Sequence, residues 1–224
     1  MKELISELHD KGYKVGLFSS AADYTCKDKT KSCKPTNSAG GFDTEDVTNP
    51  GSLGYEQQDA EFFIELGIDY LSYGEGQYFN NRTTIPNALV RYSTMSYALA
   101  SSYRNASLNE NLTNPLPVYL SIDHYDESWI NWAPKIANSW ITTNTAENHT
   151  YLTSKQTRKH FQMNSRHQLK SKENFGWNNP GPLHIGNNSV NNSDHWEIPY
   201  MAMWAISKAP LIITADIQEL GLTS

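Results

Sequence analysis

Helix-length amphipathic segments alternate with short apolar runs along almost the whole chain, and that cadence restricts the folds open to it. Met1 to Lys11 places Leu4, Ile5 and Leu8 on one helical face and stops at Gly12, after which residues 14–20 (KVGLFSS) read as a buried-type strand. Tyr55 to Leu66, with Phe62, Phe63 and Leu66 on one face, is closed by Gly67 and followed by a strand at 69–73. Leu89 to Tyr103 is a third helix, with Leu89, Tyr92, Met95, Tyr97 and Leu99 as its apolar set, and a strand follows at 118–123. A short Trp-rich helix (128–137), a strand (138–143), a weaker strand (182–187), a helix (196–208) and a last strand (209–217) complete the series. Strands alternating with helices build parallel βαβ units. Six such strands, several ending in polar residues, predict an α/β fold of the incomplete (β/α)8 barrel type, one domain over 1–224. No Gly-x-Gly-x-x-Gly follows any strand, so a dinucleotide-binding sheet loses its main signature.

Two segments break the cadence. Residues 27–49 are rich in Lys, Thr, Ser, Gly and Asp and predict a polar loop insertion. Residues 144–175 stand where a barrel helix belongs, yet hold few apolar residues and no 3.6-residue period, which predicts a frayed helix or disorder.

The balance of 18 Lys and Arg against 24 Asp and Glu, a net charge of −6, argues against a nucleic-acid partner, which needs clustered basic residues. The one basic stretch, Lys155 to Lys172, is interspersed with polar residues and reads as solvated. No run approaches the ~20 apolar residues of a membrane span. Six Asn-x-Ser/Thr acceptors, at Asn81, Asn105, Asn111, Asn148, Asn187 and Asn191, predict a eukaryotic secretory glycoprotein whose signal peptide lies upstream of Met1. The two cysteines, Cys26 and Cys33, suit a short-loop disulfide in that compartment. A zinc site would need further Cys or His ligands that nothing nearby supplies, and no cofactor is predicted. The 6 Trp and 13 Tyr serve either as core or as flat faces for a sugar.

In (β/α) barrels the chemistry sits at the C-terminal ends of the strands. Here those ends read FSSAADYTC (18–26), YLSYGEG (70–76), LSIDHYD (120–126), NSWITTNT (138–145), GWNNPGPL (176–183) and LIITADI (211–217). Together with PGSLGYEQQDAEFF (50–63) and MAMWAISKAPLIITADI (201–217), they resemble the α-galactosidase (melibiase) family of retaining glycoside hydrolases, with its yeast and fungal branch nearest through SSAADYTC. The resemblance runs in order over nearly the whole chain. It implies that the family's first two barrel strands precede Met1 and that its C-terminal β-domain follows Ser224. It also implies an α-galactoside as the partner.

Carried over position by position, the resemblance implies a stripped site. The family's nucleophile Asp lies in Tyr-Leu-Lys-Tyr-Asp-Asn-Cys; here the string is Tyr70, Leu71, Ser72, Tyr73, Gly74, Glu75, Gly76, so the sugar-holding Lys is Ser72 and the nucleophile Gly74. The Cys that would bridge to Cys26 is Gly76. In the acid/base string Asn-Ser-Trp-Arg-Thr-Thr-Gly-Asp, the Arg is Ile141 and the Asp is Thr145. Both Asp positions of Trp-Asn-Asp-Pro-Asp are changed, to Asn179 and Gly181, and the Cys-Glu/Asn-Trp triplet is Asp123, His124 and Tyr125.

A retaining glycosidase needs two carboxyl groups roughly 5–5.5 Å apart. Gly74 has no side chain, and Thr145 cannot deliver a proton at neutral pH. The expectation is therefore a hydrolytically silent α-galactosidase relative. Two other readings stand beside it. One is an active hydrolase with carboxylates relocated to Glu75 and Asp123, against which Glu75 should face away from position 74 by strand alternation. The other is a carbohydrate-binding glycoprotein that stacks a sugar on Tyr73, Tyr125, Trp140 or Trp177.

Overall fold

The computed structural model describes residues 1–25, 50–76, 83–109, 112, 114, 116–123, 127–143, 154–167, 176–183 and 197–213. It falls into two compact units, Met1–His124 and Tyr125–Ser224.

In the first unit, α1 (Lys2–Asp10), β1 (Gly16–Ser20), α2 (Glu56–Leu66), β2 (Tyr70–Gly74), α3 (Ala88–Leu108) and β3 (Tyr119–Asp123) follow one another as helix–strand repeats. The three strands pair in parallel in the order β1-β2-β3, with Ser20 beside Gly74 and Gly74 beside Asp123. Local chemistry sets the boundaries. Gly67 ends α2 in the left-handed conformation (φ 80°), and its amide donates to the carbonyls of Phe63 and Ile64. The Asn87 side chain caps α3 by accepting from the Val90 amide at 2.9 Å.

Side chains alternate across the sheet. Leu71, Tyr73, Leu120 and Ile122 are buried, and Tyr73 packs edge-on against Tyr92 of α3 at 5.5 Å. The opposite face carries Phe18, Tyr70, Ser72, Gly74, Tyr119, Ser121 and Asp123, with Tyr70 stacked on Tyr119 at 5.4 Å. At the start of β2, Asp69 accepts from Lys14 Nζ (2.8 Å), the Val15 amide (2.9 Å) and Asn114 Nδ2 (2.9 Å), and lies 2.8 Å from His9 Nε2. One carboxylate thus joins the end of α1, the entry to β1 and the segment before β3.

The second unit holds a 3-10 turn (Glu127–Asn131), α4 (Ala133–Ile136), β4 (Ser139–Ile141), α5 (Ser154–Arg166), β5 (Trp177–Asn179) and α6 (Glu197–Ile206), with β4 parallel to β5. Leu183, Tyr200, Trp204 and Ala209 form a core cluster, with Met203 against it. Tyr200 meets Trp204 edge-on at 4.4 Å.

The α/β alternation expected from the sequence is present, with corrections of detail. The Trp-rich helix is a 3-10 turn followed by a single α turn with Pro134 near its start. β5 lies at Trp177–Asn179, ahead of the weak strand expected at 182–187, where Leu183 makes an isolated bridge to Ile213 and residues 184–187 lie outside the described residues. Within 144–175, where a frayed helix or disorder was expected, residues 154–166 form a helix whose buried positions are the polar Thr157, His160 and Asn164. Tyr97 is 75% exposed and Leu89 42%, so α3 buries Arg91, Tyr92, Met95, Ala98, Leu99 and Ser102 instead. Phe62 (53%) and Leu4 (57%) are likewise exposed. The insertion at 27–49 and residues 214–217 lie outside the described residues; of the last expected strand, 209–212 are not strand and Ile213 makes only the isolated bridge.

Candidate functional site

The C-terminal ends of β1, β2 and β3 converge on Gly74. Its carbonyl accepts from the Ala21 amide at 2.8 Å, which fixes the β1 exit against the end of β2. A Cβ at Gly74 would stand 3.1 Å from both Cε2 and Cζ of Phe18 and 3.7 Å from the carbonyl oxygen of Asp123. The direction a residue 74 side chain would take is therefore edged by an aromatic ring that is itself 44% exposed. Asp123 ends β3 on the same face as Gly74, half-buried.

Glu75 goes the other way. Its Oε1 lies 3.0 Å from Arg91 Nη2 on α3, and the Tyr92 hydroxyl donates to Oε2 at 3.4 Å. Arg91 is 5% exposed and is further occupied on the backbone: Nη1 donates to the Ala21 carbonyl (3.0 Å) and Nε to the Pro86 carbonyl (2.9 Å). A buried guanidinium persists when its donors are matched in this way. Arg91 thus ties α3 to the exits of both β1 and β2.

The next residue, Gly76, has φ 74°, and a Cβ there would collide with the Tyr24 carbonyl oxygen and the Ser20 hydroxyl. The two loops meet through backbone at the position where the family resemblance implies a cysteine.

Tyr73, singled out from the sequence as a sugar-stacking side chain, is fully buried between β2 and α3. Its hydroxyl has no hydrogen-bond partner among the described residues. Burial, with the Glu56 carboxylate adding to it, pushes the phenol far above its ordinary range, and Ser52 opposes that shift. Burial also raises Tyr70, against the opposing effect of Ser121, with Asp123 nearby adding to the rise.

At the ends of β4 and β5 the polar groups are taken up by structure. Trp140 is fully buried, its Nε1 donating to Asn178 Oδ1 at 2.8 Å, with Trp129 6.4 Å away. Thr142 Oγ1 reaches Asn164 Oδ1 at 2.8 Å, and Thr143 Oγ1 donates to the Pro180 carbonyl at 2.9 Å. Asn179 Oδ1 accepts from the Gly181 amide at 2.9 Å, and the Gly181 carbonyl accepts from Trp204 Nε1 at 2.8 Å. Gly181 itself has φ 105°, a conformation that disfavours a side chain. Trp177 is partly exposed at the start of β5.

Thr145, His124, Tyr125, Cys26, Cys33, Asn81, Asn111, Asn148, Asn187 and Asn191 lie outside the described residues; Asn105 lies within them, exposed on α3. Two residues not singled out from the sequence prove central. Phe18 is marked only by alternation, two residues before Ser20 on the same face. Arg91 is marked by being the one charged residue within the buried stripe of α3. No helix among the described residues is long and apolar enough to cross a membrane, and no group of three or more His, Cys, Asp or Glu among them is placed to hold a metal.

The profile of the alpha galactosidase A family matches residues 1–223. Alpha-galactosidase 2 of Arabidopsis thaliana is 30% identical over 98% of this chain, and alpha-galactosidase mel1 of Schizosaccharomyces pombe is 28% identical over 97%. The chain spans 45% and 46% of those relatives, somewhat under half their length. Among solved structures, the α-galactosidase of Saccharomyces cerevisiae superposes with a TM-score of 0.67 at 26% identity, covering 97% of this chain and 45% of that one. This likeness bears out the barrel-type α/β fold read from the sequence.

Proposed function

The chain belongs to the alpha galactosidase A family, and from that premise we propose that it is a galactoside-directed member that does not hydrolyse its ligand. The observation that carries the reading is the surroundings of Gly74. The position that the family resemblance assigns to the nucleophile has no side chain, and the space a carboxylate would enter is edged by Phe18 at 3.1 Å. Thr145 at the acid/base position offers no group that titrates near neutrality. Without nucleophile and acid, the two-carboxylate mechanism has no first step.

The relocated-pair alternative is weakened by Glu75, whose carboxylate is engaged by Arg91 and Tyr92. The ion pair to the buried guanidinium holds that carboxylate on the α3 side, away from the face that carries Gly74 and Asp123. A binding role without turnover is favoured by the exposed Phe18 ring on the same face as the partly exposed hydroxyl of Ser72 and carboxyl of Asp123. A ring flanked by polar groups is what an uncharged sugar requires, its C–H face on the ring and its hydroxyls on the flanks. Tyr73 and Trp140, both buried, are not part of that surface.

We also propose that the protein is a secretory glycoprotein with a Cys26–Cys33 disulfide; the support is the six glycosylation acceptors and the pair of cysteines.

Hydrolysis of a chromogenic α-galactoside by the folded, secreted protein tests the reading, with Glu75→Gln and Asp123→Asn alongside. No release of chromophore is expected from any of the three. Turnover that either substitution abolishes would establish a rebuilt carboxylate pair and overturn the proposal.

A further inference from the structure

We propose that α6 is an interface between two copies of this chain, paired antiparallel about a two-fold axis near Ala202. Such pairing is independent of whether the strand-end site binds or turns over a sugar. The helix turns Tyr200 and Trp204 into the core of the second unit, with Met203 against it. On the opposite side, Ile198, Met201, Ala202, Ala205 and Ile206 follow the i, i+3, i+4, i+7, i+8 spacing of one unbroken stripe, and all are exposed. Ile198 is 73% exposed and Ile206 76%. Between Glu197 and Lys208 the sequence has no charged residue. A surface helix ordinarily turns its polar and charged residues outward, and a contiguous apolar stripe in their place marks an interaction surface.

The spacing within the stripe selects the occupant. Ile198 and Ile206 stand four residues to either side of Ala202. A second α6 running the opposite way therefore sets Ile198 of each copy on Ile206 of the other, over a span of about 12 Å along the axis. The small Ala202 and Ala205 lie between, which lets the two backbones approach to the close end of the ~8–10 Å range of packed helices. Self-complementarity of this kind is what an isologous two-fold contact requires. Charge agrees with the direction. The sequence has the acidic Glu197 at the start of α6 and the basic Lys208 just past its end. Antiparallel copies bring unlike charges together at both ends, and the opposed helix dipoles favour the same direction. Contact confined to about three helical turns is smaller than a standard interface, so a dissociation constant of about 10 µM is expected.

The test is sedimentation velocity on the whole, folded chain at concentrations from about 1 to about 200 µM, a range that brackets such an affinity. The wild type should pass from monomer to dimer across it. Ala202→Arg sets two like charges on the axis and should weaken association at least about 100-fold, with an unchanged circular dichroism spectrum. Glu197→Lys and Lys208→Glu should each weaken it about fivefold, and the two changes in one chain should restore it. A wild type that stays monomeric at the highest concentration would overturn the proposal, whatever else covers the stripe. A dimer indifferent to Ala202→Arg would do the same, since its copies would meet on another surface. Charge reversals that weaken association without mutual rescue would overturn the antiparallel direction.

Discussion

The edge of Phe18 stands 3.1 Å from the point where a side chain on Gly74 would begin. Spacing that tight obliges the ring to give way by a few tenths of an ångström before any residue larger than glycine fits. Gly74→Ala is therefore expected to destabilise the protein by about 1 kcal/mol, the lower end for overpacking because Phe18 is partly exposed and can swing. The coupling is measurable. In Phe18→Ala/Gly74→Ala the loss should fall short of the sum of the single losses by at least about 0.5 kcal/mol in urea unfolding. Additive losses would show that the ring does not govern position 74.

Gly76 and Gly12 share a left-handed backbone, φ 74° and 82°, but not surroundings. A Cβ at Gly12 meets nothing within 4 Å, whereas one at Gly76 runs into the Tyr24 carbonyl and the Ser20 hydroxyl. Gly12→Ala should cost about 1 kcal/mol from conformation alone. Gly76→Ala should cost about 3 kcal/mol, conformation and overpacking together. Similar losses for the two variants, read from denaturant midpoints at constant slope, would refute the close approach of the two loops.

These positions also mark what was legible in the sequence. The parallel strands were, since Leu71, Tyr73, Leu120 and Ile122 recur with period two beside helices that end at Gly67 and after Leu108. Helix α5 was not, because a buried face of Thr157, His160 and Asn164 is invisible to apolar periodicity. Its fold depends on polar pairing such as Thr142 with Asn164 at 2.8 Å. At the site, family strings located Gly74 and Gly76 but carried no information on what fills the space. Aromatic composition alone could not separate Tyr73 and Trp140, both core, from the exposed Phe18.

Arg91 holds the exits of β1 and β2 through the Ala21 carbonyl and the Glu75 carboxylate. Arg91→Met keeps most of the packing volume but withdraws the guanidinium's donors from the Ala21 carbonyl and the Glu75 carboxylate, and should destabilise by about 3 kcal/mol. Glu75→Gln keeps a neutral acceptor for Arg91 near the protein surface, and about 1 kcal/mol is expected. The ordering checks the role: if Glu75→Gln proved as damaging as Arg91→Met, the ion pair and not the backbone contacts would be holding the loops.

Asp69 sets the response to acid. Burial alone would raise its carboxyl, but the hydrogen bonds from Lys14, the Val15 amide, His9 and Asn114 outweigh it and bring the pKa from 3.8 to about 2. A carboxyl lowered on folding binds protons more readily when the chain is unfolded. Its contribution is therefore complete above pH 3.8 and is lost as pH falls toward 2. That contribution amounts to about 2 kcal/mol, since one pKa unit corresponds to about 1.4 kcal/mol. Urea midpoints measured between about pH 6 and pH 2 should fall more steeply for the wild type than for Asp69→Asn. The substitution removes the titrating group while keeping a carbonyl for Lys14 and the Val15 amide. The two curves should draw together as pH falls to 2, where the wild-type carboxyl in the folded protein has become about half protonated. Parallel curves across this range would mean that the four-way contact at the start of β2 does not form in solution.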